Sequence, residues 1–337
     1  SFFVHFEGAN QVTELFVNGV SAGVHIGGYT AFCFEVTRLL RQGDNEIKVV
    51  VDNSHNPDIP PLSADFTFWG GIYRDITLVV TPRVHVSPTH FATSGVYIDT
   101  FDEQYARSGV RIRTFLSNDM PSARRVTLIH DIFGPDGQKV TSVSQKVKLP
   151  ADMENHCVEM TTSVNDRLLW DIDSPNLYRV ETRLEGDGLS DMVSNTFGFR
   201  YFRFDPDKGF FLNGRHVKLI GTNRHQDYYQ KGNALADEMH VRDLRLLEEM
   251  GGNFLRISHY PQDPQVTEFC DRRGIVASVE IPIVDYITMS DKFRQNGVSM
   301  ATEMVWQDYN SPSVVLWAYM NEPLLRRPYD DNPEIKE

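Results

Sequence analysis

The chain has 337 residues, a formal net charge of −13 and 41% hydrophobic residues. That length suits two or three domains with ordinary cores. The acidic balance argues against nucleic acid or an anionic membrane surface as a partner, because both are held by basic patches. No run of about 18 apolar residues occurs, so no membrane span is expected. The opening Phe2-Phe3-Val4-His5-Phe6 reads as strand, without the charged and apolar regions of a signal peptide. The compartment is left open between cytoplasm, periplasm and exterior. Cys33, Cys157 and Cys270 are odd in number and form no CxxC, which predicts buried free thiols rather than disulfides or a zinc site.

Residues 1–82 read as all-β. Leu15-Phe16-Val17 runs into Asn18-Gly19, a hairpin pair that tolerates positive φ at both turn positions. Ala31–Val36, Glu46–Val51 and Ile76–Val80 are further strands, and short strands at regular spacing predict a jelly roll or sandwich. Residues 83–200 continue in that style, with strands at Val110–Arg113, Val126–His130 and Leu177–Leu184 and a turn at Gly134-Pro135-Asp136-Gly137; this predicts an immunoglobulin-like β-sandwich.

From 201 to 337 the period changes. An apolar run, Val217–Ile220, precedes Val241, Leu244, Leu247 and Met250 at helical spacing, stopped by Gly251-Gly252. Asn253–Ile257 is a strand, and Asp263-Pro264 opens a helix that Gly274 closes. Ile275–Val279, a helix over 297–309 and the strand Ser313–Met320 follow. Strands alternating with helices predict a parallel sheet, with a (β/α)8 TIM barrel as the leading architecture. A whole barrel needs about 250 residues; four strands fit here, so the segment is read as the first half of one.

Each of these strands ends in polar or ionisable residues: Asn223-Arg224-His225, Ser258-His259-Tyr260, Glu280, and Asn321-Glu322. In a barrel these ends converge on the catalytic face. Each group also has an ordinary reading. His225 and His259 suit rim histidines, Glu280 suits a structural ion pair with Arg256, and Asn321-Glu322-Pro323 suits a strand-to-helix turn. Four such ends on one face make the functional reading the stronger one.

The chain resembles glycoside hydrolase family 2, in particular its β-galactosidase branch. The likeness is carried by Trp69-Gly70-Gly71-Ile72-Tyr73-Arg74-Asp75, Ser174-Pro175-Asn176-Leu177-Tyr178, Phe211-Leu212-Asn213-Gly214-Arg215, Gly221-Thr222-Asn223-Arg224-His225, Ser258-His259-Tyr260-Pro261, and Ser313–Trp317 with Asn321-Glu322. The resemblance implies a retaining exo-glycosidase acting on terminal β-galactosides. In it Glu322 is the general acid/base, Asn321 holds the 2-hydroxyl, and His225 and His259 line the sugar site. Asp65 reaches in from the first domain, unless it merely stabilises a turn, and Arg256 and Glu280 orient Glu322. Protonating a glycosidic oxygen near neutral pH needs a carboxyl with a raised pKa; Trp317 and Tyr319 are expected to exclude water there. The nucleophile is expected beyond residue 337, and the first domain to lack its opening strands, which makes the chain an inactive fragment.

The magnesium ligands of some relatives would fall on Val284 and Tyr286, which suit no hard cation. Neither metal nor cofactor is expected. A glycoside is the expected partner, with homo-oligomerisation as a family tendency. β-Glucuronidase and β-mannosidase activities share the scaffold, although Asp65 would repel a uronate. A metal-dependent hydrolase would want His-x-His where His225-Gln226-Asp227 stands, and a decayed, merely sugar-binding barrel has no use for Asn321-Glu322.

Overall fold

The computed structural model describes residues 1–101, 109–186 and 188–323. In the first domain, Val12–Val17 pairs on either side with Val20–Ile26 and Ile47–Asp52, and Phe2–Phe6 with Phe32–Glu35 and Ile76–Val80. The Asn18-Gly19 turn has φ of 51° and 80°, the left-handed pair that a two-residue hairpin requires. Alternation sends Thr13, Leu15 and Val17 inward, and Leu15 and Val17 join Val4, Phe6 and Phe32 in the core.

The second domain is a sandwich of two four-stranded sheets. Val110 and Ile112 from one sheet meet Leu128, Ile132, Val180 and Leu184 from the other in one core. The intervening Arg179, Glu181 and Arg183 stay at the surface. The three domains are thus a jelly roll, an immunoglobulin-like sandwich and part of a TIM barrel.

The barrel portion is a four-stranded parallel sheet: Gly221–Arg224, Phe254–Ile257, Val276–Glu280 and Val314–Ala318, in that order. Helices α1 (Asp237–Glu249), α2 (Pro264–Arg273) and α3 (Asp291–Gln307) connect and cover it. Asp263 caps α2 by accepting from the Gln265 N–H at 3.0 Å, and Gly274 ends it at φ 71°, as the sequence predicts. A three-stranded antiparallel sheet, Phe202–Asp205, Gly209–Leu212 and Arg215–His216, precedes the barrel. Phe210, Leu212 and Val217 pack with Trp170, Val276 and Val315.

Four expectations change. The first barrel strand is Gly221–Arg224, not the apolar Val217–Ile220: Val217 turns down into the Trp170 cluster while Ile220 is 54% exposed. Met250 is 73% exposed; α1 buries His240, Leu244 and Leu247 instead. Helix α3 begins six residues early, because Ser290 caps it through the Phe293 N–H at 3.0 Å and Gly297 sits inside it, close to Ile283. Of the cysteines only Cys270 is buried; Cys33 is half-buried and Cys157 exposed. Among the described residues no helix is long and apolar enough to cross a membrane.

The β-domains grip the barrel through α3 and the loops above the sheet. Trp306 packs against Tyr97 and Phe91, and Gln307 bonds Ala31 and Phe91. Buried Arg74 donates to the carbonyls of Glu7 and Tyr29 in its own domain and to Gln226 and Pro261 of the barrel. Removing a guanidinium that satisfies four acceptors, three of them in buried bonds, leaves those unpaired. Arg74→Met is therefore expected to cost about 3–5 kcal/mol, read as a lowered urea midpoint; an unchanged midpoint would show that the domains do not depend on this contact.

Candidate functional site

Three barrel strands bring one buried carboxylate and its partners together. Glu280 ends the third strand and is 2% exposed. Its Oε2 accepts from Arg256 Nη2 of the second strand at 3.0 Å. Its Oε1 lies 2.7 Å from His259 Nδ1, just past that strand. The same Arg256 nitrogen donates to Asn321 Oδ1 at 2.8 Å. A buried carboxylate next to Nδ1 requires a proton there, so His259 keeps Nε2 as an acceptor when neutral. Arg256 fixes the Asn321 amide with its oxygen occupied, and the NH2 group has no partner among the described residues.

Backbone bonds lock Asn321 as well: its N–H donates to Ile283 O at 2.8 Å, and its carbonyl accepts from Asp285 N–H at 3.1 Å. Glu322 then adopts φ 50°, a left-handed value that a glutamate seldom takes and that surrounding structure must impose. Its side chain is exposed and forms no hydrogen bond or ion pair among the described residues. The water exclusion expected from Trp317 and Tyr319 is not found: Trp317 is only half-buried and Tyr319 is 64% exposed. Among the described residues nothing pairs beyond the last strand to cover them.

His225 follows the first strand and stands edge-to-face with His259, ring centroids 5.1 Å apart. Its Nδ1 meets the Tyr260 hydroxyl at 3.2 Å. Burial and the neighbouring His259 push its pKa down, while Asp227, Asp65 and Glu280 pull the other way. Asp65 is exposed, yet its field reaches His225 from the first domain. The predicted Asp65, His225, His259, Arg256, Glu280 and Asn321 therefore share one neighbourhood, and Glu322 follows Asn321 directly in the chain.

Sequence reasoning passed over Phe66, whose ring lies 5.1 Å from His225 and 6.1 Å from His259. Its place beside Asp65 was the available signal. Two cavities of about 590 and 530 Å3 flank the site, one beside Ile283 and Met320 and one beside Arg74 and Pro261. Neither is lined by His225, His259, Glu280 or Asn321. Among the described residues no three His, Cys, Asp or Glu side chains group closely enough to hold a metal ion. Val284 is buried and Tyr286 half-buried.

Comparison with known families matches residues 1–82 to the sugar-binding domain of glycosyl hydrolases family 2, 89–200 to a further model described simply as glycosyl hydrolases family 2, and 206–333 to the family's TIM barrel domain. The chain belongs to glycoside hydrolase family 2. A curated β-glucuronidase of Bacteroides fragilis is 37% identical over 98% of this chain. A β-galactosidase of Thermoanaerobacterium thermosulfurigenes is 32% identical over 94%. The crystal structure of a Bacteroides uniformis β-glucuronidase superposes with a TM-score of 0.93 at 41% identity, covering 96% of this chain and 39% of that one. The chain spans less than half the length of these family 2 relatives, 48% and 43% of the two curated proteins.

Glu280→Gln leaves Arg256 facing a neutral amide and removes the acceptor that fixes the His259 tautomer. Because Arg256 is partly solvated, the expected cost is about 2–3 kcal/mol of unfolding free energy, measured by urea denaturation at pH 7; a loss below about 0.5 kcal/mol would mean that solvent already supports the cluster.

Proposed function

We propose that this chain is the acid/base-bearing portion of a longer retaining exo-glycosidase that releases terminal β-D-glucuronic acid. The higher identity to the two β-glucuronidases, 37% and 41%, than to the β-galactosidase, 32%, carries the choice of sugar. The galactoside favoured by Asp65 is the second reading, supported by that same galactosidase relative. Asp65 is exposed, so solvent and salt screen its charge, and its presence alone does not exclude a uronate.

Retaining hydrolysis uses two carboxyl groups about 5–5.5 Å apart, one giving a proton to the leaving oxygen and one attacking the anomeric carbon. Glu322 is the proton donor in this reading and later the base that activates water. The nucleophile is a carboxylate outside the 337 residues. The Asn321 amide, its oxygen tied to Arg256, offers N–H donors to the sugar 2-hydroxyl, a contact that strengthens as the oxocarbenium-like transition state forms. His225 and His259 present imidazole edges to the remaining hydroxyls, and Glu280 acts through His259 and Arg256 rather than on the substrate.

Assay of the full-length protein on aryl β-D-glucuronide, galactoside and mannoside tests the sugar: the glucuronide should have the highest kcat/KM, and a preference for galactoside would reverse the assignment. With a poor leaving group, which needs the proton most, Glu322→Gln should lower kcat by about 10²–10⁴, whereas wild-type turnover by Glu322→Gln would end its role as acid/base. The 337-residue chain alone should turn over none of the three.

A further inference from the structure

We propose that Phe66, delivered from the first domain, positions the His225 and His259 imidazoles, so that the 58–70 segment sets how tightly the sugar ring is held. The proposal rests on the sugar-site reading above and deepens it.

The two imidazoles are not equally secured. His259 has a buried carboxylate on Nδ1 at 2.7 Å. Among the described residues the His225 ring has one hydrogen bond, to the Tyr260 hydroxyl at 3.2 Å. One contact leaves a ring free to swing unless packing blocks it. Phe66 supplies the packing: it is tilted 42° against His225 and 34° against His259, and meets Tyr260 edge-on at 5.2 Å. Tyr260 is stacked in turn on Tyr29 of the first domain, 4.4 Å between centroids.

The segment that carries Phe66 is tethered on both sides. Asp58 accepts from the Ser290 hydroxyl at 2.5 Å and, through its carbonyl, from Asn296 at 2.8 Å, both at the start of α3. Ile59 is buried within the barrel core itself. Downstream, the Trp69 carbonyl accepts from Asn10 at 2.7 Å. The Trp69 ring lies so close to Gly232 that a Cβ there would stand 2.9 Å from it. A loop held at 58–59 and at 69 has little freedom at 66, so Phe66 acts as a fixed wall. Its removal admits water to His225 and relieves part of the burial that holds its pKa down, while His259 still opposes protonation and Asp227, Asp65 and Glu280 favour it.

Full-length Phe66→Ala and Phe66→Leu, assayed on an aryl β-D-glucuronide, test this. Phe66→Ala should raise KM about tenfold with kcat nearly unchanged, as for lost uniform binding, and move the acid limb of kcat/KM to higher pH; Phe66→Leu should recover most of the loss. Combined with His225→Ala, Phe66→Ala should add little, since both remove one contact. A crystal structure of Phe66→Ala should show His225 turned from the Tyr260 hydroxyl. Unchanged KM, additive losses, or His225 in place in that crystal would each overturn the proposal. If unsubstituted enzyme cleaves no glycoside, the hydrolase reading fails by itself, and the His225 orientation in the variant crystal still decides the packing role.

Discussion

One buried carboxylate organises the barrel face. Glu280 is out of water, and a charge there is tolerated only with partners in good geometry. Its partners come from the second strand and the residues just after it, and through Arg256 from the residue that follows the fourth strand. The network around Glu280 also sets the groups assigned to the sugar in the proposed reading: His259 gains a fixed tautomer and, through Arg256, Asn321 a fixed amide. Stability and site geometry therefore draw on the same hydrogen bonds, and Glu322 inherits its position from Asn321.

The first domain completes that face. Arg74 ties its carbonyls to Gln226 and Pro261, residues adjoining His225 and Tyr260. Tyr29 stacks on Tyr260, and Asp65 and Phe66 arrive beside His225. The sandwich holds α3 from another direction through Tyr97 and Phe91. Opposite these contacts the sheet stays open: among the described residues Val314–Ala318 pairs on one edge only, with Leu316 47% exposed. An unpaired edge with apolar side chains is a liability that proteins usually cover, and the curated relatives are more than twice as long as this chain.

Much of this was legible in the residues. Period-two alternation, the Asn18-Gly19 turn and the cap and stop of α2 are local signals, and local structure obeyed them. The polar strand ends converged because a parallel sheet permits nothing else. What escaped depended on distant partners. Val217–Ile220 looks like a strand, but pairing with Phe254–Ile257 selected the polar Gly221–Arg224 instead. Gly297 masked the start of α3, although Ser290 caps it. Phe66 gains its meaning from the His225, His259 and Tyr260 rings, far away in the sequence. The dry setting expected around Glu322 from Trp317 and Tyr319 is a property of a closed barrel, and four strands do not close one.

The most direct measurement is a crystal structure of the full-length protein with a glucuronic-acid-derived mechanism-based inhibitor bound covalently. The account predicts that the trapped carboxylate lies about 5–5.5 Å from the Glu322 carboxyl, with Asn321 on the 2-hydroxyl and His225 and His259 along the ring. A separation near the 6.5–9.5 Å range of inverting enzymes, or a sugar ring seated away from Glu322 and both histidines, would contradict it.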